Sequence, residues 1–296
     1  MTHELLDLLN LFDPIGLEET NAQAALLRRV DTKYVLRPDQ LQALLPAWVD
    51  DYRVLEIEGA RSSHYHSVYY DTPGLALYRA HHAGASSRVK FRLREYTESN
   101  LSYYEVKIRS NKGITDKQRS RMRETQSLEE HLEHSVQQHP RHLQGELVQE
   151  TLQIDYDRIT LVAKTGSERV TVDRNLHFSA EGRSVLLDDR IIVEVKQERG
   201  KRTSLDRQMR SIGIKPGSIS KYCLGILQLY PEAKRNRFKL PMRILDKQLR
   251  TNGIDASGGR GHQDCTGTRR AAKLGRAVDE ARSCDYRLQS LQQLIA

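Results

Sequence analysis

Hydrophobic and polar residues alternate in short runs along much of this chain, and in several runs the polar positions are charged. Arg88, Lys90, Arg92 and Arg94 are interleaved with Val89, Phe91 and Leu93. A strand sends alternate residues to opposite faces, so four cations line one side and apolar groups the other. The same pattern places Arg29, Asp31 and Lys33 together, then Glu105, Lys107 and Arg109, and then Thr115, Lys117, Arg119 and Arg121. Later runs put Arg169, Thr171 and Asp173 on one face, and Glu194, Lys196 and Glu198 on another. Arg158 stands alone within 155–163.

Helical spacing predicts a helix over Glu4–Phe12, stopped by Pro14, and a second opening at Pro38 with Leu41, Leu44 and Leu45 buried. Strands are expected to dominate Tyr52–Arg123, punctuated by turns at Asp71-Thr72-Pro73-Gly74 and Asn111-Lys112-Gly113. The polar, His-rich stretch Leu128–Leu152 reads as a surface helical insert with solvated histidines. Strands resume over Ile154–Gln197, followed by helices near Ser204–Ile212 and Ser220–Leu229. Ser220 is placed to cap the last helix, with Lys221 adding a charge beside its free N–H groups.

Apolar faces that pack under helices leave the charged faces to meet each other or water. One charged strand is ordinarily a wet face of an open sheet. Six such strands favour curling the sheet so that the charged faces converge, because like charges at successive same-face positions repel. The expected fold is therefore α+β, a closed antiparallel β barrel with a charged lumen and its apolar faces packed under helices. Unpaired buried charge is costly, so the lumen must hold water, counter-charges or a ligand, and the excess of Arg and Lys implies a polyanion. Arg offers paired hydrogen bonds to phosphate, and Lys a compact point charge. Glu105 and Glu194 are either partners of these cations or oxygen ligands for Mg²⁺ or Mn²⁺.

Composition narrows the partner. The 296 residues carry 47 Lys plus Arg against 39 Asp plus Glu, a net charge of +8 that suits an acidic partner. With 13 Tyr, 4 Phe and 1 Trp there is no aromatic-basic RNA signature, so nucleic acid is not expected. Cys223, Cys265 and Cys284 have neither metal-ligand nor disulfide spacing, which fits a reducing cytoplasm. No apolar run reaches the roughly 20 residues that span a bilayer. Residues 1–243 are expected to form the tunnel domain with its N-terminal helical segment, and 244–296 a basic, poorly ordered tail. The cations of 234–250 make a candidate contact with an anionic membrane surface or a membrane-protein partner, and peripheral attachment at the inner face of the membrane would follow.

Six ordered strings then carry a resemblance: Arg29-Val30-Asp31-Thr32-Lys33-Tyr34-Val35-Leu36, Val68-Tyr69-Tyr70-Asp71-Thr72, Lys90-Phe91-Arg92-Leu93-Arg94-Glu95-Tyr96, Tyr104-Glu105-Val106-Lys107, Val193-Glu194-Val195-Lys196 and Ser220-Lys221-Tyr222. From about Leu17 to Arg243 the chain resembles the VTC polyphosphate polymerase domain. That domain belongs to the vacuolar transporter chaperone complex and its bacterial relatives, within the CYTH or triphosphate tunnel metalloenzyme superfamily. The resemblance implies an eight-stranded tunnel that binds ATP with Mn²⁺ or Mg²⁺ and transfers the γ-phosphoryl group to a growing polyphosphate chain. It also implies catalytic roles for Lys33, Arg92, Arg94, Lys107, Arg158, Arg169 and Lys221, with Glu194 and Glu105 as metal ligands. Arg29, Lys90, Lys117, Arg119, Lys196 and Ser220 complete the substrate-binding face.

Two positions depart from the pattern. Simple triphosphatases of the superfamily carry Glu-x-Glu-x-Lys on the first strand, where this chain has Arg29-x-Asp31-x-Lys33. That substitution favours the polymerase branch. Ser218 stands where the eukaryotic pattern has lysine. A tunnel triphosphatase and a non-catalytic polyphosphate-binding module are the alternatives.

Overall fold

The computed structural model describes residues 3–23, 29–112, 114–123, 127–143, 145–198, 203–217, 220–239 and 242–243. All fall within one compact unit spanning Met1–Thr251. The expected tail from 244 onward, with Cys265 and Cys284, lies outside the described residues, as does Gly113 of the second predicted turn.

The described elements run α1 (His3–Asn10), β1 (Pro14–Ile15), α2 (Leu17–Gln23), β2 (Arg29–Leu36), α3 (Pro38–Leu44) and a short 3₁₀ turn (Leu45–Trp48). Then come β3 (Tyr52–Leu55), β4 (Ser63–Asp71), α4 (Ala76–Ala83), β5 (Arg88–Tyr96), β6 (Leu101–Arg109) and β7 (Thr115–Arg121). The chain continues through α5 (Leu128–Gln138), α6 (Pro140–Leu143), β8 (Gln149–Ala163), β9 (Arg169–Ala180), β10 (Arg183–Leu187), β11 (Ile191–Glu198), α7 (Ser204–Ser211) and α8 (Lys221–Leu229).

Eight strands follow the path β2-β11-β9-β8-β4-β5-β6-β7, every neighbouring pair antiparallel. The predicted α+β sheet is present, but it is a curled half-barrel rather than a closed tunnel. Its end strands β2 and β7 do not pair among the described residues. Two features keep them apart. The Gly217 N–H donates to the Lys33 carbonyl at 2.8 Å, occupying part of the free edge of β2. Strand β7, Thr-Asp-Lys-Gln-Arg-Ser-Arg, is exposed along its whole length and has no apolar residue to bury. A highly charged edge strand of this kind resists pairing.

Three apolar clusters back the sheet. Leu5, Leu9 and Phe12 join Leu41, Leu45 and Trp48 over the outer faces of β2, β11 and β9. Helices α4 to α6 cover Val89, Phe91, Tyr104 and Val106. Helix α8 packs instead on Leu152, Ile154, Tyr156 and Phe178, on the β8 face that carries Tyr156. It sits close because Gly225 has no Cβ. One placed there would lie 2.6 Å from side-chain atoms of both Leu152 and Phe178.

Strands do dominate Tyr52–Arg123, and α4 is the element among them that the reading did not place. Asp71, fully buried at the end of β4, explains the helix: its carboxylate accepts from the backbone N–H groups of Thr72, Leu77 and Tyr78 at 2.7 to 2.9 Å. The Leu77 and Tyr78 donors would otherwise be orphans at the helix start. The predicted insert is also shorter than expected, since β8 already begins at Gln149.

Candidate functional site

The concave face has two walls of different charge design. On the wall built from β5, β6 and β7, strand register sets Arg88 opposite Arg109, Lys90 opposite Lys107, and Lys107 opposite Lys117. Directly opposed like charges destabilise a sheet. On the wall built from β2, β11, β9 and β8, opposite charges face each other: Lys33 meets Glu194, Asp31 meets Lys196, Arg29 meets Glu198, and Arg158 meets Asp173. Arg169, opposite Lys196, adds a further cation. Arg29 is placed by its register, and its side chain lies outside the described residues.

Three carboxylates organise the cations. Glu105, 1% exposed, receives Arg92 and Lys117, the latter at 2.5 Å, with Arg119 at 3.7 Å. Burial raises a carboxyl pKa, but here Arg92, Arg94 and Lys117 more than offset it and hold Glu105 below the usual range. Asp173, 0% exposed, takes a two-pronged contact from Arg158 at 2.6 and 2.8 Å and a further one from Lys221. It is held low by the same balance of burial against Arg158 and Lys221. Glu194 is contacted more loosely, by Lys196 at 3.4 Å and Lys33 at 3.8 Å.

Elsewhere cations rest on neutral groups. Lys90 donates to the Ser220 hydroxyl at 2.7 Å, tying β5 to the start of α8, while that hydroxyl accepts from the Cys223 N–H at 3.4 Å as the helix cap. Arg94 donates to Tyr156 at 2.9 Å and Ser67 at 3.3 Å. Lys107 is exposed in the concavity, with no ion pair within 4 Å among the described residues. Desolvation by the groups crowded into the concavity pulls Lys90, Lys117, Lys196 and Lys221 down to about 8, and lowers Lys107 too. Tyr69 accepts from Arg92 at 3.1 Å. Burial pushes its phenol up, yet Arg92, Arg94 and Lys90 together bring it down to about 7.

Whether this face can hold a divalent cation turns on its acids. Among the described residues no three His, Cys, Asp or Glu side chains form a metal cage. Mg²⁺ commonly takes one or two carboxylates and completes its shell with substrate phosphates and water. Glu194, with its long ion-pair distances and 12% side-chain exposure, fits that part. Glu105 and Asp173 do not, because cations already occupy both oxygens of each.

The structure thus gathers Lys33, Lys90, Arg92, Arg94, Lys107, Lys117, Arg119, Arg158, Arg169, Lys196, Lys221, Ser220, Glu105 and Glu194 on one concave face. Sequence reasoning missed Asp173 as an organising acid and the lumenal groups Ser67, Tyr65, Tyr69 and Tyr156. Strand β4 presents hydroxyls and rings rather than charge, so a search for alternating charges passes over it. The signal was the Tyr-rich alternation of Tyr65, Ser67 and Tyr69.

Comparison with known proteins supplies the family. No curated protein matches the chain. Among solved structures it is similar to a candidate adenylate cyclase from Bacillus halodurans, at 12% identity over 69% of this chain and 97% of that one, with a TM-score of 0.45. It is similar to a protein from Pyrococcus horikoshii OT3, at 12% identity over 68% and 99%, with a TM-score of 0.41. A third is a candidate adenylyl cyclase from Hippeastrum described as having a dominant triphosphatase activity, at 12% identity over 69% and 100%, TM-score 0.41. At that distance these neighbours bear on neither the site nor the reaction. The VTC domain family model, in contrast, matches residues 28–230, which includes β2 to β11 and all of α8. The chain belongs to the VTC domain family.

Proposed function

We propose that this protein is a metal-dependent polyphosphate polymerase that transfers the γ-phosphoryl group of ATP to a growing polyphosphate chain. The observation that carries the reading is the row Lys90, Lys107 and Lys117, three like charges set side by side across β5, β6 and β7. Of the three, Glu105 answers Lys117 alone, so the rest of the row costs stability unless an anion with closely spaced charges lies along it.

Phosphoryl transfer asks chiefly for alignment and charge stabilisation. Lys33, Arg92, Arg94 and Lys107 hold the triphosphate in line, with Arg158, Arg169 and Lys221 around it. Lys90, Lys117, Lys196, Arg29 and Ser220 extend the track for the polymer, and Arg119 borders the site beside Tyr96 and Tyr103. A terminal phosphate oxygen of the polyphosphate forms the new bond to the γ-phosphorus as the bond to the β-phosphate oxygen breaks, and the nucleoside diphosphate leaves. Glu194 would hold Mg²⁺ or Mn²⁺, which supplies neutralisation of phosphate charge when bound. Glu105 and Asp173 keep Arg92 and Arg158 fixed, so little reorganisation is left for the reacting complex.

The test is incubation of purified protein with γ-labelled ATP and Mn²⁺ or Mg²⁺, followed by gel separation. A ladder of labelled polymer supports the polymerase. Labelled orthophosphate alone would make it a triphosphatase, and tight polyphosphate binding with neither product would make it a binding module.

A further inference from the structure

At one end the concave face changes character from charge to rings. Tyr96, the last residue of β5, meets Tyr65 edge-on with centroids 4.9 Å apart and Tyr103 at 5.8 Å. Tyr65 in turn stacks on Tyr156 at 5.3 Å. The Arg119 guanidinium lies over the Tyr103 ring at 3.5 Å and over Tyr96 at 5.4 Å, and donates to the Tyr96 hydroxyl at 3.0 Å. Tyr103 and Tyr156 are buried beneath, whereas Tyr65 and Tyr96 keep part of their surface open and Arg119 is exposed.

A phosphate chain has no use for ring faces, and a purely structural plug would have no use for an exposed guanidinium held between rings. Both suit a planar, electron-rich heterocycle, which stacks on tyrosine and on arginine alike. Position agrees. Tyr96 is four residues beyond Arg92 on the same strand, about 13 Å at ordinary strand rise. That is about the distance from the base of an extended nucleoside triphosphate to its terminal phosphate.

We infer that Tyr96, Tyr65 and Arg119 form a stacking site for the nucleobase of a nucleoside triphosphate, which orients the nucleotide with its base at this end and its phosphates running along β5 toward Lys90. This rests on the proposed use of the concave face for triphosphate. It adds that the protein distinguishes a nucleotide from bare triphosphate, and that the distinction resides in rings rather than in base-edge hydrogen bonds. Discrimination among bases is accordingly weak.

The test compares the affinities of ATP and inorganic triphosphate, at one ionic strength, for the wild type and for Tyr96→Ala, Tyr96→Phe and Tyr96→Trp. Tyr96→Ala is expected to weaken ATP on the order of tenfold while inorganic triphosphate, which also reports an intact fold, changes little. Tyr96→Phe and Tyr96→Trp should retain ATP affinity, and GTP should bind the wild type about as well as ATP. Unchanged ATP affinity in Tyr96→Ala, or an equal loss for both ligands, overturns the stacking site and leaves the triphosphate reading standing. A wild type that binds neither ligand removes both.

Discussion

The two walls of the concave face are built from the same kind of strand, yet they solve the problem of buried charge differently. The β2–β11–β9–β8 wall pairs charges across strands: Arg158 and Lys221 share Asp173, while Lys33 and Lys196 flank Glu194. The β5–β6–β7 wall has Glu105 as its acid, and sets Lys90 against Lys107 and Arg88 against Arg109. One wall is close to self-sufficient, and the other is complete only with an anion. Alternation of charged residues therefore says little by itself. The sign of the charge opposite, which only strand register reveals, separates framework from binding surface.

If that contrast is right, removing a charge has opposite effects on the two walls. The largest effect is expected for Asp173→Asn, which strands the buried guanidinium of Arg158 and releases Lys221 from its partner. Breaking a buried pair on one side typically costs about 3–5 kcal/mol, so chemical denaturation should show a loss of that order, with or without ligand. A loss under about 1 kcal/mol would mean that the paired wall is not framework.

On the other wall, Lys90→Gln with Lys107→Gln should leave the ligand-free protein as stable as the wild type, or more so by about 1 kcal/mol as repulsion is relieved. Triphosphate affinity should fall at least tenfold, read by calorimetric titration at matched salt. A stability loss with unchanged affinity would reverse the assignment of the walls.

A smaller effect follows from pH. Lys90, Lys117, Lys196 and Lys221 lie near 8 in the folded protein, well below the ordinary lysine value, and Tyr69 near 7, below the ordinary phenol. Between about pH 7 and 10 the unfolded chain thus holds more protons than the native one at these positions, and linkage makes their contribution to stability rise with pH. Over the same range the face loses positive charge. Triphosphate affinity should therefore decline severalfold from pH 7 to 9 while the ligand-free denaturation midpoint holds or climbs. Parallel decline of both would show that burial does not hold these lysines below the ordinary lysine value in the folded protein.

Much of this was legible in the chain. The run Arg88 to Arg94 specified a strand, its charged face and its apolar back, because a period of two can be met by little else. The cap at Ser220 was readable too, and its hydroxyl also receives Lys90. The rest depended on contacts distant in sequence. Glu105 could be read as a cation partner or a metal ligand, and only the pairing of β7 with β6 brings Lys117 and Arg119 onto it. Helix α4 was hidden because the acid that receives its first-turn N–H groups, Asp71, acts from up to seven residues away. Closure was overread for a similar reason: alternation predicts which face curls inward, but whether β2 and β7 meet depends on what else takes their edges, as Gly217 does at Lys33.

The most direct test of the account is lysine footprinting by acetylation at pH 8 with mass-spectrometric readout, with and without inorganic triphosphate at matched ionic strength. Lys90, Lys107 and Lys117 should be protected severalfold by triphosphate, while exposed Lys112 and Lys215 are labelled as before. Equal labelling of all five with and without triphosphate would contradict the claim that the cation-rich wall is an anion-binding surface.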